Sequence, residues 1–238
     1  MCQVFLNSWP LTLDYNRGLK SFEIEAPNLK KLVLNSPIVT EKWLHDVLSK
    51  HPLIESLDLL YHCNMLKMIK ISSDRMKSLK ISGRKELVEV NIVTPNLHRL
   101  EYCDDVVSTT SYSTWTLLEA PNLKELVLSS SIVTDKWLHG VLSKHPLIES
   151  LDLTNCELLK MIKISSDRMK SLKIICCKNL VEANIVTPNL HRLKYHGDAI
   201  SFSSNTWTLS EVSLNFVSNT RLDVEKIEFL AKLSHPKY

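Results

Sequence analysis

The chain has 238 residues, of which 44% are hydrophobic, 23% charged and 7% aromatic, a globular profile with enough length to bury a core without disulfides or metals. Four glycines and nine prolines exclude collagen-like and linker-rich chains, and also folds built on glycine-rich phosphate loops. A net charge of +3 is too slight to mark a binder of nucleic acid or of an anionic membrane.

The opening residues, MCQVFLNSWPLTLDYN, hold no basic stretch followed by an apolar run of signal-peptide length, and no segment reaches 18 apolar residues. The expected location is cytoplasmic or nuclear. A first aliphatic line, Leu19-Phe22-Ile24, lies too close to Leu29 to be a full repeat. From there LxxLxL recurs about every 21 to 26 residues, at Leu29-Leu32-Leu34, Ile54-Leu57-Leu59, Met76-Leu79-Ile81, Leu97-Leu100-Tyr102, Leu123-Leu126-Leu128, Ile148-Leu151-Leu153, Met169-Leu172-Ile174 and Leu190-Leu193-Tyr195. A weaker ninth line follows at Leu209-Val212-Leu214. The period-2 ending of each line predicts a short strand with aliphatics on one side. One such strand cannot bury its row alone, so the units must stack.

A longer repeat lies over the short one. Residues 26–102 and 120–195 are identical at about four in five aligned positions, offset by about 94 residues and shifting by one after Leu59. In each half the return limbs are of two kinds. Thr40 is placed to cap a helix with the apolar stripe Trp43, Leu44, Val47 and Leu48, ended by His51-Pro52, and Thr134 to Pro146 repeats it. The lines Leu66-Ile69-Ile71 and Leu87-Val90-Ile92 leave too little room for a helix and predict short extended limbs. Asp223 to Leu233 has helical spacing and is expected to cap the stack, within a terminal segment 209–238.

The segments Ile148 to Leu159 and Met169 to Leu180 resemble LxxLxLxxCxxL, the cysteine-containing leucine-rich repeat, with Cys156 and Cys177 where the chain turns out of its strand. Cys63 keeps that residue in the first copy after one extra position, whereas Arg84 replaces Cys177. IVTEKWLHDVLSKHPLIESLDL and the tail from Trp207 resemble the leucine-rich part of plant F-box proteins of the F-box/LRR and FBD type. The resemblance implies an α/β leucine-rich-repeat solenoid (horseshoe) of about nine rungs, with a parallel concave sheet and mixed helical and extended convex limbs, in a single domain over 1–238. It also implies substrate recognition for a ubiquitin ligase. The family's F-box has no counterpart before Leu19, so a Skp-type adaptor is expected as a partner only where a longer form supplies one. The alternatives are a stand-alone repeat scaffold unrelated to ubiquitination and a β-solenoid enzyme.

Nothing in the sequence requires catalysis. Nine His and six Cys show no C-x2-C or H-x3-H spacing, so no metal or cofactor is expected, and the cysteines read as buried thiols. His51 and His145 read as helix C-terminal caps. There is no G-x-S-x-G, H-E-x-x-H or phosphate-loop motif, and Asp74-Arg75 and Asp167-Arg168 read as solvated turns. A β-solenoid enzyme would need clustered chemistry on neighbouring rungs and a secretory signal.

The positions facing out of the strands carry the functional expectation. One column is Val33, Asp58, Lys80, Glu101, Val127, Asp152, Lys173, Lys194 and Ser213; its neighbour is Lys31, Ser56, Ser78, Arg99, Glu125, Ser150, Ser171, Arg192 and Glu211. Solenoids use such a surface for protein partners. Lys173, Arg192 and Lys194 with His196 form a basic spot, and Lys80 and Arg99 are its first-copy counterpart. The expected partner is a protein, with no nucleic acid and no membrane.

Overall fold

The computed structural model describes residues 2–5, 10–14, 22–63, 65–83, 87–103, 114–198, 200–204 and 209–217. The chain divides into two compact units, Met1–Leu123 and Lys124–Tyr238. In the first, the elements run β1 (Cys2–Phe5), β2 (Leu11–Leu13), β3 (Phe22–Glu25), β4 (Lys31–Leu34), α1 (Glu41–Lys50), β5 (Ser56–Leu59), β6 (Met68–Ser72), β7 (Ser78–Ser82), β8 (Glu89–Val93), β9 (Arg99–Cys103) and β10 (Thr114–Glu119). Strands β2, β4, β5, β7 and β9 pair side by side in one parallel main sheet. The return limbs form a second parallel sheet, β6-β8-β10, while β1 pairs with β3.

The second unit repeats this plan with β11 (Glu125–Ser129), α2 (Asp135–Lys144), β12 (Ser150–Thr154), β13 (Met161–Ser165), β14 (Ser171–Ile175), β15 (Glu182–Val186), β16 (Arg192–Gly197), β17 (Ser201–Ser204) and β18 (Glu211–Phe216). Its main sheet is β11-β12-β14-β16-β18, parallel and in register. Its return sheet is β13-β15-β17. Each unit is thus a parallel-sheet solenoid of stacked coils. All nine anticipated strand lines are strands of a main sheet. Leu11–Leu13 adds one more, and Ile24 belongs to β3, which pairs with β1. Residues 218–238, including the anticipated helix Asp223 to Leu233, and Arg84 lie outside the described residues.

The core follows from the alternation. Leu126, Leu151, Leu172 and Leu193 occupy one register line across four strands and are all 0 to 2% exposed. Each buried leucine of this kind contributes about 2 to 3 kcal/mol of transfer free energy. The return limbs close the other side with Ile162, Ile164, Ala183 and Ile185, also buried.

Polar side chains tie successive coils together. Thr40 and Thr134 are the helix N-caps, their hydroxyls accepting from Trp43 N at 3.2 Å and Trp137 N at 3.3 Å. The acid that follows each cap reaches the next limb. Glu41 Oε1 accepts from the N–H groups of Lys67 and Met68, and Asp135 Oδ1 from those of Lys160 and Met161. These bonds satisfy backbone donors where β6 and β13 begin. Asparagines do the same at turns: Asn96, Asn122, Asn179 and Asn189 each donate a side-chain N–H to a backbone carbonyl more than twenty residues earlier.

Three of the turns out of a main strand use a left-handed residue. Gly83 (φ 67°), Asn155 (φ 53°) and Cys176 (φ 54°) supply it. At Gly83 a Cβ would stand 2.0 Å from Tyr61 Cδ1, so the Tyr61 ring lies where a side chain would go. Just past their strands Cys63, Cys156 and Cys177 are buried and carry thiols rather than disulfides. Cys156 and Cys177 donate to Leu128 O and Leu153 O on successive coils, and the neighbouring Cys177 thiol together with burial pushes the Cys156 thiol far above the usual range. These are packing residues, as the repeat pattern implied.

Candidate functional site

The outward face of each main sheet presents the two sequence columns as spatial columns. In the first unit, strand register places Val33, Asp58, Lys80 and Glu101 side by side, with Lys31, Ser56, Ser78 and Arg99 beside them. In the second, Val127, Asp152, Lys173, Lys194 and Ser213 align, next to Glu125, Ser150, Ser171, Arg192 and Glu211. Adjacent positions in a column are about 4.8 Å apart, close enough for direct ion pairing.

In the first unit that pairing is complete. Lys31 Nζ is 3.7 Å from Asp58, Lys80 Nζ 2.6 Å from Glu101 Oε1, and Arg99 2.9 Å from Glu101 Oε2. Glu101 is partly buried, which alone would disfavour its charge, but the bonds from Lys80 and Arg99 outweigh burial and hold its carboxyl below the usual range. The bond to Glu101 in turn raises Lys80.

The second unit arranges the same charges differently. Lys173 Nζ lies 2.6 Å from Asp152 Oδ2, and Thr154 donates to the other carboxylate oxygen at 2.9 Å. Lys194 stands where the first copy has Glu101. Arg192 and Lys194 are both exposed, and among the described residues neither has an ion-pair partner. His196 follows on the same strand, half-buried. The four residues are therefore neighbours, as their spacing implied, but Lys173 is engaged by Asp152 rather than free. In the first copy, Lys80 and Arg99 are both committed to Glu101. Lys173 and Asp152 come from lines 21 residues apart, so the pair was available from register alone.

The histidines at the helix ends are buried at 5% and 3% exposure. His145 Nδ1 caps Val141 O at 2.8 Å. His51 instead places Nδ1 and Nε2 each 3.1 Å from the carbonyl oxygens of Ala26 and Ile24. In the second unit a cleft of about 790 Å³ opens where the bulky α2 gives way to the flat β13, bordered by His139, Ser143, Lys163, Arg168 and the Lys170–Glu149 pair at 2.6 Å. No helix among the described residues is long and apolar enough to cross a membrane.

Stacked LxxLxL strands, return limbs of mixed type and an open outward face define a leucine-rich-repeat solenoid, a class of protein-interaction module. Residues 2–123 match the family model for the LRR repeats of the FBD-associated F-box protein At5g56370, and residues 107–231 match that for the LRR domain of At1g61320/AtMIF1. The chain belongs to this family, the leucine-rich-repeat region of plant F-box/LRR (FBD-associated) proteins. Two Arabidopsis thaliana relatives are similar: a protein named as F-box/LRR-repeat protein At3g18150, 29% identical over 113 residues, and one named as F-box protein At1g60180, 35% identical over 75. The alignments cover 45% and 31% of this chain, and only 25% and 23% of those relatives' own lengths. No solved structure matches the chain.

Proposed function

We propose that this chain is the substrate-recognition part of an F-box type ubiquitin-ligase receptor, binding a partner protein on the outward face of its main sheets without catalysing a reaction itself. The observation that carries this reading is the array of outward side chains. In both units they stand in register as mostly polar columns on a leucine-backed sheet, the arrangement that presents many weak contacts to a protein surface at once. Membership of the F-box/LRR family supports the link to ubiquitination, the adaptor being recruited by an F-box and the partner by these repeats.

The test is a plant-cell complex of this region joined to an F-box. A Skp-type adaptor and a defined partner should be recovered together, and the partner's level should rise under proteasome inhibition. A partner that binds but never changes in abundance or ubiquitination would reduce the protein to a stand-alone repeat scaffold.

A further inference from the structure

The two copies act as controls for each other. Among the few substitutions that separate them, two reverse a charge in the outward columns: Lys31 becomes Glu125, and Glu101 becomes Lys194. Both copies therefore keep three basic and two acidic side chains at the five charged positions of their first four lines, but in a different order. The first copy alternates, and each charge there finds a partner at 3.7 Å or less. The second is segregated, with Glu125 and Asp152 on β11 and β12, and Lys173, Arg192 and Lys194 on β14 and β16. Asp152 pairs with Lys173. Arg192 and Lys194 remain exposed and without an ion-pair partner among the described residues, even though Glu211 lies beside Arg192 in register.

Arg192, Lys194 and His196 lie on alternate positions of one strand and so project from the same face in a row with a spacing of about 6.6 Å. An extended polypeptide presents its own alternate side chains at the same spacing. The flanking outward positions, Ser171, Lys173 and Ile175 on β14 and Glu211, Ser213 and Asn215 on β18, include no aromatic side chain on which a base could stack. Backbone N–H groups here are spent in the sheet ladder and offer no cradle for phosphate. We propose that the row Arg192-Lys194-His196 receives an acidic, extended segment of a partner protein, with Asp or Glu at alternate positions, laid along β16. Arg192 can hold one carboxylate bidentately, Lys194 the next, and the imidazole of His196 can donate one hydrogen bond to a third. This deepens the protein-binding reading above and rests on it.

The experiment uses the full chain and fluorescein-labelled twelve-residue peptides, read by fluorescence anisotropy at low and high salt. A peptide of alternating Glu and Thr should bind, weaken with salt, and bind more tightly than a peptide of the same composition arranged as Glu-Glu-Thr-Thr blocks. Lys194→Glu, which installs the first copy's residue, should cut binding at least tenfold at an unchanged melting temperature. Glu101→Lys should add a second binding site by opening the first copy's ladder. Equal binding of the two peptide patterns, undiminished binding by Lys194→Glu, or tighter binding of an oligo-dT of the same length would each overturn the proposal. A partner protein retained equally by wild type and Lys194→Glu would also overturn it, while leaving the protein-binding reading in place.

Discussion

Leu151 lies between Leu126 and Leu172 on the inner face of its sheet, 1% exposed. Leu151→Asp would bury a carboxylate with no partner, at a cost above about 3 kcal/mol, so the variant should lose its cooperative thermal transition or fail to remain soluble. Glu101 offers a milder probe. Its carboxyl is held below the ordinary value of 4.5, so it stabilises the folded state fully above that value and loses this effect as pH falls through the depressed one. Urea titrations should therefore show wild type losing more stability between about pH 5 and pH 3 than Glu101→Gln does. Inward and outward positions were legible in the sequence because a strand alternates with period 2, whatever surrounds it. Whether a given lysine is free was not legible at the same level. Lys80 and Lys173 sit in almost identical local sequences, and what each touches is set by a residue one strand away.

Helices α1 and α2 show what an element needs beyond its own stripe. Thr134→Ala removes the N-cap bond to Trp137 N and should cost about 1 kcal/mol, visible as a lower melting temperature. Asp135→Ala should cost about 1 to 3 kcal/mol, because two backbone donors, Lys160 N and Met161 N, lose their acceptor at the start of β13. Hydrogen exchange at those two amides should quicken in Asp135→Ala and stay unchanged in Thr134→Ala. The helical limbs were readable from cap, stripe and terminating proline, and the extended limbs from their β-branched lines. The second role of Glu41 and Asp135 was hidden, since a first-turn acid is already accounted for by the helix dipole. Strands β10 and β17 escaped notice because neither carries the LxxL spacing of its neighbours.

At the scale of the whole molecule the sequence states the duplication openly, yet the difference in outward charge between the copies resides in very few of its letters. Shared residues fix the fold of each unit: the leucine lines, the caps, and turn asparagines such as Asn96 and Asn189. The reversal at Lys31/Glu125 and at Glu101/Lys194 leaves that scaffold alone and changes only how charge is distributed across it. A pattern search weights the many identical positions and passes over the two at which an outward charge reverses.

Near-identity has a kinetic consequence as well. A strand such as β5, with the sequence Ser-Leu-Asp-Leu, meets two almost equivalent neighbours in an unfolded chain, β7 and β14, and pairing with the wrong one forfeits little local energy. Refolding from denaturant should then show a slow phase of misassorted chains returning to the native order, insensitive to prolyl isomerase and to protein concentration. Synthesis on a ribosome avoids the confusion, because the first copy can close on itself before the second emerges. The single extra residue at the Tyr61-His62 turn is one of the few local marks that tells the copies apart. Deleting His62 should therefore enlarge the slow phase more than it lowers the equilibrium stability, as measured by double-jump refolding.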